Sequence, residues 1–221
     1  MRKMTTRWLA AAAFAVAPAA VAGEVPAASR QIALAVQAAP EALREGATVL
    51  GYDPSGALVT LREGSNDLIC LAHPPGDPGV RVACYARSLE PYMKRGRELK
   101  AEGVPDVQRQ QLRWKEAEAG TLAMPKEPAV LYVLSGTGID PADGAVLEPY
   151  RRYVVYTPWA TSATTGLAET PMAPGAPWIM FPGTAGAHIM INPPKDEPAA
   201  QPVLPPGSAP TARTDPVLDP T

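Results

Sequence analysis

Apolar side chains recur along this chain with two different periods, and the switches between them mark its elements. In AASRQIALAVQAAPEALREG, residues 27–46, Ile32 and Val36 stand four apart, and Ala39 and Leu43 extend the stripe. That spacing predicts a helix, interrupted at Pro40 and ended by Gly46. The next stretch, ATVLGYDPSGALVTLREG, reads as a hairpin. Asp53-Pro54-Ser55-Gly56 supplies a side-chain acceptor, a preset φ and a permissive last position, which is type I turn chemistry. DLICLA and VRVACYA then alternate as short strands on either side of HPPGDPG, a loop whose glycines and prolines stop both helix and sheet. Parallel connections need a long crossover, and the gaps here are short. The four strands are therefore expected to form an antiparallel meander.

From Ser88 to Gly103 the period returns to the helical one. Leu89, Tyr92, Met93 and Leu99 lie among Lys and Arg, with Ser88 as the expected cap and Gly96 weakening the middle. A more polar helix is expected from Pro105 to Glu118, with Val107 and Trp114 on one face. Strands resume at AVLYVL (129–134), RRYVVYT (151–157), WIMF and AHIMI, joined by connections rich in Gly, Pro and Thr. The order predicts an α+β fold: an antiparallel sheet of hairpin or meander type, carrying an N-terminal helix and two mid-chain helices packed on it. Residues 27–192 suffice for one hydrophobic core and are expected to form a single domain.

Composition changes the picture at the two ends. Residues 1–22 join a basic start (Arg2, Lys3, Arg7), an Ala-rich apolar run and Ala20-Val21-Ala22, the pattern of a cleaved signal peptide. The apolar run is short for a membrane anchor, and no later stretch is long enough for a transmembrane span. Residues 193–221 hold nine prolines and no aromatic side chain, too little apolar surface to offset the entropy of ordering. A disordered Pro-rich tail is expected there. Taking Arg2, Lys3 and Arg7 from the 20 basic residues leaves 17 against 22 acidic ones, a net charge of −5. That balance, with export to a periplasmic or secreted location, argues against a nucleic-acid partner.

Candidate chemistry is sparse. Cys70 and Cys84 fall on neighbouring predicted strands, where an oxidising compartment would join them as a disulfide. No CxxC, CxxCH, G-x-S-x-G or phosphate-loop lysine is present, so no cofactor and no metal is expected. His73 and His188 are the two imidazoles and the default bases at neutral pH. Strand alternation puts His188 with Met190 on one face and Ile189 with Ile191 on the other, the isoleucines facing the core. His188, Met190, Met180 and Trp178 would then line a pocket for an organic ligand. The same imidazole and thioethers make a copper set. The plainer account is a half-buried histidine held by backbone beside core methionines. His73 lies on a loop, where binding residues gather but where most histidines simply face solvent.

Lys94, Arg95, Arg97 and Lys100 alternate with Glu90, Glu98 and Glu102, which reads as a solvated helix with i,i+4 pairs. Tyr150, Tyr153, Tyr156 and Trp159 recur every third residue and cannot share one face of a strand. A bulge would be needed to gather them around a sugar or peptide site.

The segments LREGSNDLICLAHPPGDPGVRVACYARSLEPYM and APWIMFPGTAGAHIMI carry a resemblance. Gly64, Asn66, Cys70, Cys84, Trp178, Met180, Gly183, Thr184, Ala187, His188 and Met190 match the pattern of a family of uncharacterised exported bacterial proteins. The likeness spans about residues 40–192 and implies export and a compact domain, without an activity, substrate or cofactor. The expected function is non-catalytic binding of a small molecule, an envelope component or a partner protein. The alternative is a small hydrolase or lyase with His188 as general base.

Overall fold

The computed structural model describes residues 24–195. The signal-peptide reading (1–22) and the Pro-rich tail beyond Lys195 lie outside the described residues. In chain order the elements are α1 (Ala28–Ala35), a 3-10 turn (Val36–Ala38), α2 (Glu41–Arg44), β1 (Thr48–Tyr52), β2 (Leu58–Arg62), β3 (Leu68–Leu71) and β4 (Val80–Ala86). A 3-10 turn (Arg87–Leu89), α3 (Glu90–Ala101), α4 (Asp106–Glu118), β5 (Ala129–Gly136) and the ribbon β6 (Gly138–Ile139) with β7 (Val146–Leu147) follow. The chain closes with β8 (Tyr150–Tyr156), α5 (Ser162–Thr165), β9 (Trp178–Met180) and β10 (His188–Ile191). The fold is α+β. One eight-stranded open sheet has the order β2-β1-β3-β4-β5-β8-β10-β9.

Every pairing in that sheet is antiparallel except one: β1 and β3 run parallel. The four-strand meander expected for residues 47–86 is thus corrected. The expectation assumed that a parallel pair needs a crossover over the sheet face. Instead, β2 folds back to the sheet edge, and residues 63–67 step across the start of β1. Gly64 makes this possible, because a Cβ there would collide with the backbone of Gly46, Ala47 and Thr48. The crossing is sewn down where Ser65 and Asn66 donate backbone N–H to the Gly46 carbonyl at 2.8 and 3.0 Å. The Asn66 amide also reaches the Leu43 carbonyl at 2.9 Å. The Gly-x-Asn turn before the first cysteine is the device that lets β3 enter the sheet.

Helices cover both faces. On one, α1 and its 3-10 turn bury Ala35, Ala38 and Ala39 against Val49, Cys70, Val82, Cys84 and Leu134. The small side chains, rather than the Ile32–Val36 stripe, meet the sheet. Ile32 and Val36 pack at the margin, since alanines let the helix approach closely enough to cover the disulfide. Buried Gln31 fastens α1 to β1 through its side-chain amide, donating to the Tyr52 carbonyl and accepting from the Tyr52 N–H, both at 2.8 Å. The Cys70–Cys84 disulfide joins directly opposed residues of β3 and β4, and both cysteines are fully buried.

On the other face, Leu89 and Met93 pack on Ile69, Tyr85, Leu131 and Tyr156. No side chain caps α3: its first position follows the 3-10 turn, so Ser88 does not play the expected part. Gly96 sits where a Cβ would press on the Arg113 guanidinium at 2.9 Å, so its absence lets α4 lie close to α3. Arg95 makes a bidentate contact with Glu116 of α4 at 2.8–3.0 Å and reaches Glu98 and Glu102. Trp114 is half-buried whereas Val107 is exposed, so the pair does not form the expected shared packing face.

Candidate functional site

The C-terminal strands were expected to present His188, Met190, Met180 and Trp178 together, and cross-strand register does align them. His188 stands opposite Met180, and Met190 opposite Trp178, on one face of the β9–β10 hairpin. That face is the one turned under α3 and α4. His188 and Met190 are buried, while Ile189 and Ile191 are only partly so, which reverses the expected core side. The reason is tertiary: alternation separates the two sets, but the position of the helices decides which set is covered.

His188 is enclosed by rings. Its centroid is 5.0 Å from Tyr156 and 5.7 Å from Phe181, while Trp114 lies 5.1 Å from Phe181 and Tyr92 lies 5.8 Å from Tyr156. Nδ1 donates to the Gly186 carbonyl at 2.7 Å, leaving the unprotonated Nε2 of a neutral imidazole. Burial holds His188 below the usual histidine range, with the Gly186 carbonyl opposing the shift. Burial likewise pushes the Tyr156 phenol up. Gly186 gives the box its closeness, because a Cβ there would collide with the Trp114 indole and meet the Tyr92 hydroxyl at 2.9 Å. Trp114 Nε1 donates to that hydroxyl at 3.2 Å, and the Arg113 guanidinium covers the Tyr92 ring at 4.1 Å. Among the described residues, no carboxylate or hydroxyl lies within hydrogen-bond distance of the His188 ring. The imidazole is thus held by a backbone carbonyl and packed among aromatic rings.

The tyrosines spaced three apart are scattered as the strand period requires. Tyr153 meets Tyr132 edge to face at 6.2 Å on the α1 side of the sheet, while Tyr156 joins His188 on the other. Trp159 is half-exposed in a left-handed backbone conformation, φ 61°.

His73 organises the HPPGDPG loop. Its Nδ1 accepts from the Arg81 N–H and its Nε2 faces the Asp77 carbonyl, each at 3.2 Å, so both nitrogens are engaged within the loop. The loop thereby forms one wall of a cleft of about 650 Å³. Arg30, Ala33 and Leu34 of α1 form the second wall, and Ile139 and Asp140 of the β6–β7 ribbon the third. A neighbouring hollow of about 600 Å³ adjoins it at Glu24 and Pro75 and extends to Tyr52 and the Asp53–Gly56 turn.

The helix and ribbon walls are tied together. Gln37 donates to the Gly144 carbonyl at 2.9 Å, Arg151 donates to the Gln37 carbonyl at 2.8 Å, and Gln31 clamps the other end of α1. Asp140 and Asp143 accept from the Ala142 and Ala145 N–H groups at 2.8 Å and shape the ribbon's loop. Apolar Leu34 and Ile139 therefore share a preformed cleft with the guanidinium of Arg30, which forms no ion pair among the described residues.

Of the residues singled out in the sequence, His73 belongs to this cleft, whereas His188, Met190, Met180 and Trp178 lie at the far end of the sheet. Arg30, Leu34, Ile139 and Asp140 went unrecognised. The signal that marks the ribbon is Asp140-Pro141-Ala142-Asp143-Gly144, a run of turn formers between two short apolar pairs. Among the described residues, no group of three or more His, Cys, Asp or Glu is placed to hold a metal ion, and no helix is long and apolar enough to cross a membrane. Compared with family models, curated proteins and solved structures, the chain matches none of them, so function rests on the geometry alone.

Proposed function

We propose that this protein is a non-catalytic binding domain acting outside the cytoplasm, and that it takes a small molecule in the cleft between α1, the His73 loop and the β6–β7 ribbon. The carrying observation is a cleft of about 650 Å³, within the range of small-ligand sites, whose helix and ribbon walls are joined by the Gln37–Gly144 hydrogen bond and whose third wall is held internally by His73. Leu34 and Ile139 suit an apolar body, and Arg30 suits an anionic group on it. A buried disulfide fits a periplasmic or secreted location. The hydrolase or lyase reading has less support, since His188 donates Nδ1 to a backbone carbonyl and is walled by aromatic rings.

The probe 1-anilinonaphthalene-8-sulfonate combines an apolar body with an anionic group. Its fluorescence should rise on binding, with affinity falling at least about tenfold in Leu34→Trp, which fills the cleft, and in Arg30→Glu. Unchanged binding in both variants, with their far-UV spectra intact, would refute the assignment. Cell fractionation with intact-mass analysis tests location: the reading expects cleavage after Ala22 and one disulfide, and a cytoplasmic full-length chain with free thiols would overturn it.

A further inference from the structure

The eight-stranded sheet ends at β9 on one side and at β2 on the other, and the two edges differ in cover. At β9, Ile179 donates its N–H to the Ala168 carbonyl at 2.9 Å, so the preceding segment lies along the outer side of that strand. Pro177, immediately before β9, withholds a further donor. At β2, the register settles where the backbone points. Tyr52 donates its N–H to the Gln31 side chain and accepts from it at its carbonyl, and Leu50 accepts from the Ala72 N–H. Both residues thus turn their backbone groups away from β2. Their cross-strand partners are Leu58 and Thr60. Opposed residues of an antiparallel pair either bond to each other or both turn away. Leu58 and Thr60 therefore aim two N–H groups and two carbonyls outward, and among the described residues none of the four has a backbone partner.

Sheet edges are ordinarily guarded by lysine, proline, an inward-pointing charge or a bulge. Residues 57–61 contain no charged side chain and no proline. Arg62, which follows, is folded back onto the Arg44 and Ala47 carbonyls. The register shift between β1 and β2 falls at Leu61 and leaves Leu58, Val59 and Thr60 regular. Val59 is 36 % exposed and Thr60 is exposed, so strand-favouring side chains face solvent beside the open backbone groups.

We infer that β2 is a dimerisation edge, which pairs antiparallel with β2 of a second copy of this chain about a two-fold axis at Val59. Leu58 then stands opposite the second copy's Thr60, and Thr60 opposite its Leu58, so the outward groups make four backbone hydrogen bonds. Val59 meets its own counterpart in the non-bonded pair on the axis, where side chains approach most closely. Ala57 faces the second copy's Leu61. A two-fold partner presents the same patch, and this patch is its own complement: every outward donor finds an outward acceptor, the half-exposed valine is covered by itself, and no like charges oppose each other. Another protein's strand would satisfy the same hydrogen bonds without that symmetry. The inference does not depend on what the α1 cleft binds.

The test is sedimentation equilibrium of the mature chain through the micromolar range, where the mass should rise reversibly from one copy to two. Over the same range the Leu58 and Thr60 amides should exchange with deuterium more slowly, while that of Val59, which β1 already engages, should not change. Thr60→Pro removes an outward N–H that β1 does not use, and should weaken the dimer at least about tenfold with the far-UV spectrum intact. Should that variant not fold, Val59→Lys and Val59→Glu alter a partly exposed side chain instead. Each alone should stay monomeric, and an equimolar mixture should recover the dimer, because opposite charges then meet on the axis. A wild-type chain at monomer mass throughout overturns the proposal, also where an added strand peptide occupies the edge. A dimer unmoved by Thr60→Pro and by Val59→Lys overturns it as well, since it forms through another surface.

Discussion

The imidazole of His188 lies over the phenol ring of Tyr156, centroid to centroid 5.0 Å, with the planes 35° apart. The two residues are direct cross-strand partners, so β-sheet register alone brings them together. Covered by α3 and α4, the contact gives this end of the sheet a buried titratable group, and pH becomes a probe of the packing.

Burial disfavours the imidazolium, so the folded chain takes up a proton at His188 only below the ordinary range. The unfolded chain does so near pH 6.5. The stability tied to this group is therefore complete above about pH 6.5 and is lost as pH falls through the folded value. His188→Phe keeps the ring contacts and removes the titration. Urea denaturation at about pH 7.5 and about pH 5.5 should show a smaller loss for the variant than for the wild type. Equal losses would assign the acid sensitivity to other groups.

Gly64→Ala should be far more damaging than a surface glycine substitution of the same kind. The added methyl meets backbone rather than a movable side chain, so β1 and the crossing segment must separate. A loss of about 3 kcal/mol or more is expected from chemical denaturation. Gly103→Ala is the control: open space surrounds that position, and only the cost of its left-handed φ of 79° applies. Comparable losses in the two would contradict the close crossing.

Removal of the disulfide should lower stability by about 3 kcal/mol in the chain-entropy account of a closed span of this size. Cys70→Ala with Cys84→Ala, compared with wild type with and without reductant, gives the measurement. The variant should retain native far-UV spectra, because strand pairing and the α1 cover remain. An unfolded double variant would mean that the sheet depends on the bridge for its formation.

Gly186→Ala should displace the Trp114 indole, which the new methyl would overlap. The expected signs are a change in tryptophan emission and a loss of roughly 1–3 kcal/mol, the usual cost of overpacking. An unaltered spectrum and melting temperature would place Trp114 elsewhere.

Much of the architecture was legible along the chain. Period-two runs announced β3, β4, β5, β8 and β10, helical spacing announced α1 and α3, and paired cysteines on neighbouring strands announced the bridge. These features are local, or depend on one short-range pairing, and local chemistry specifies them. Gly64 and Asn66 stand out in the sequence only through the resemblance, and nothing in their identity says that the chain crosses a strand there. That depends on where β1 lies when residues 63–67 fold.

Which side chains are covered and which converge was less legible, for a related reason. His188 and Met190 attract notice because imidazoles and thioethers are scarce here, but scarcity carries no information about cover. Alternation determines that His188 and Met190 share a side, and the docking of α3 and α4 determines that this side is buried. Arg30, Leu34, His73 and Ile139 come from three separate stretches, and only the folding of the β6–β7 ribbon toward α1 gives them a common cleft. The sequence by itself determined elements, faces and the sulfur bridge, since these follow from neighbours along the chain. Tertiary structure decided which faces are covered and which distant side chains converge, because those outcomes depend on long-range packing that no local pattern encodes.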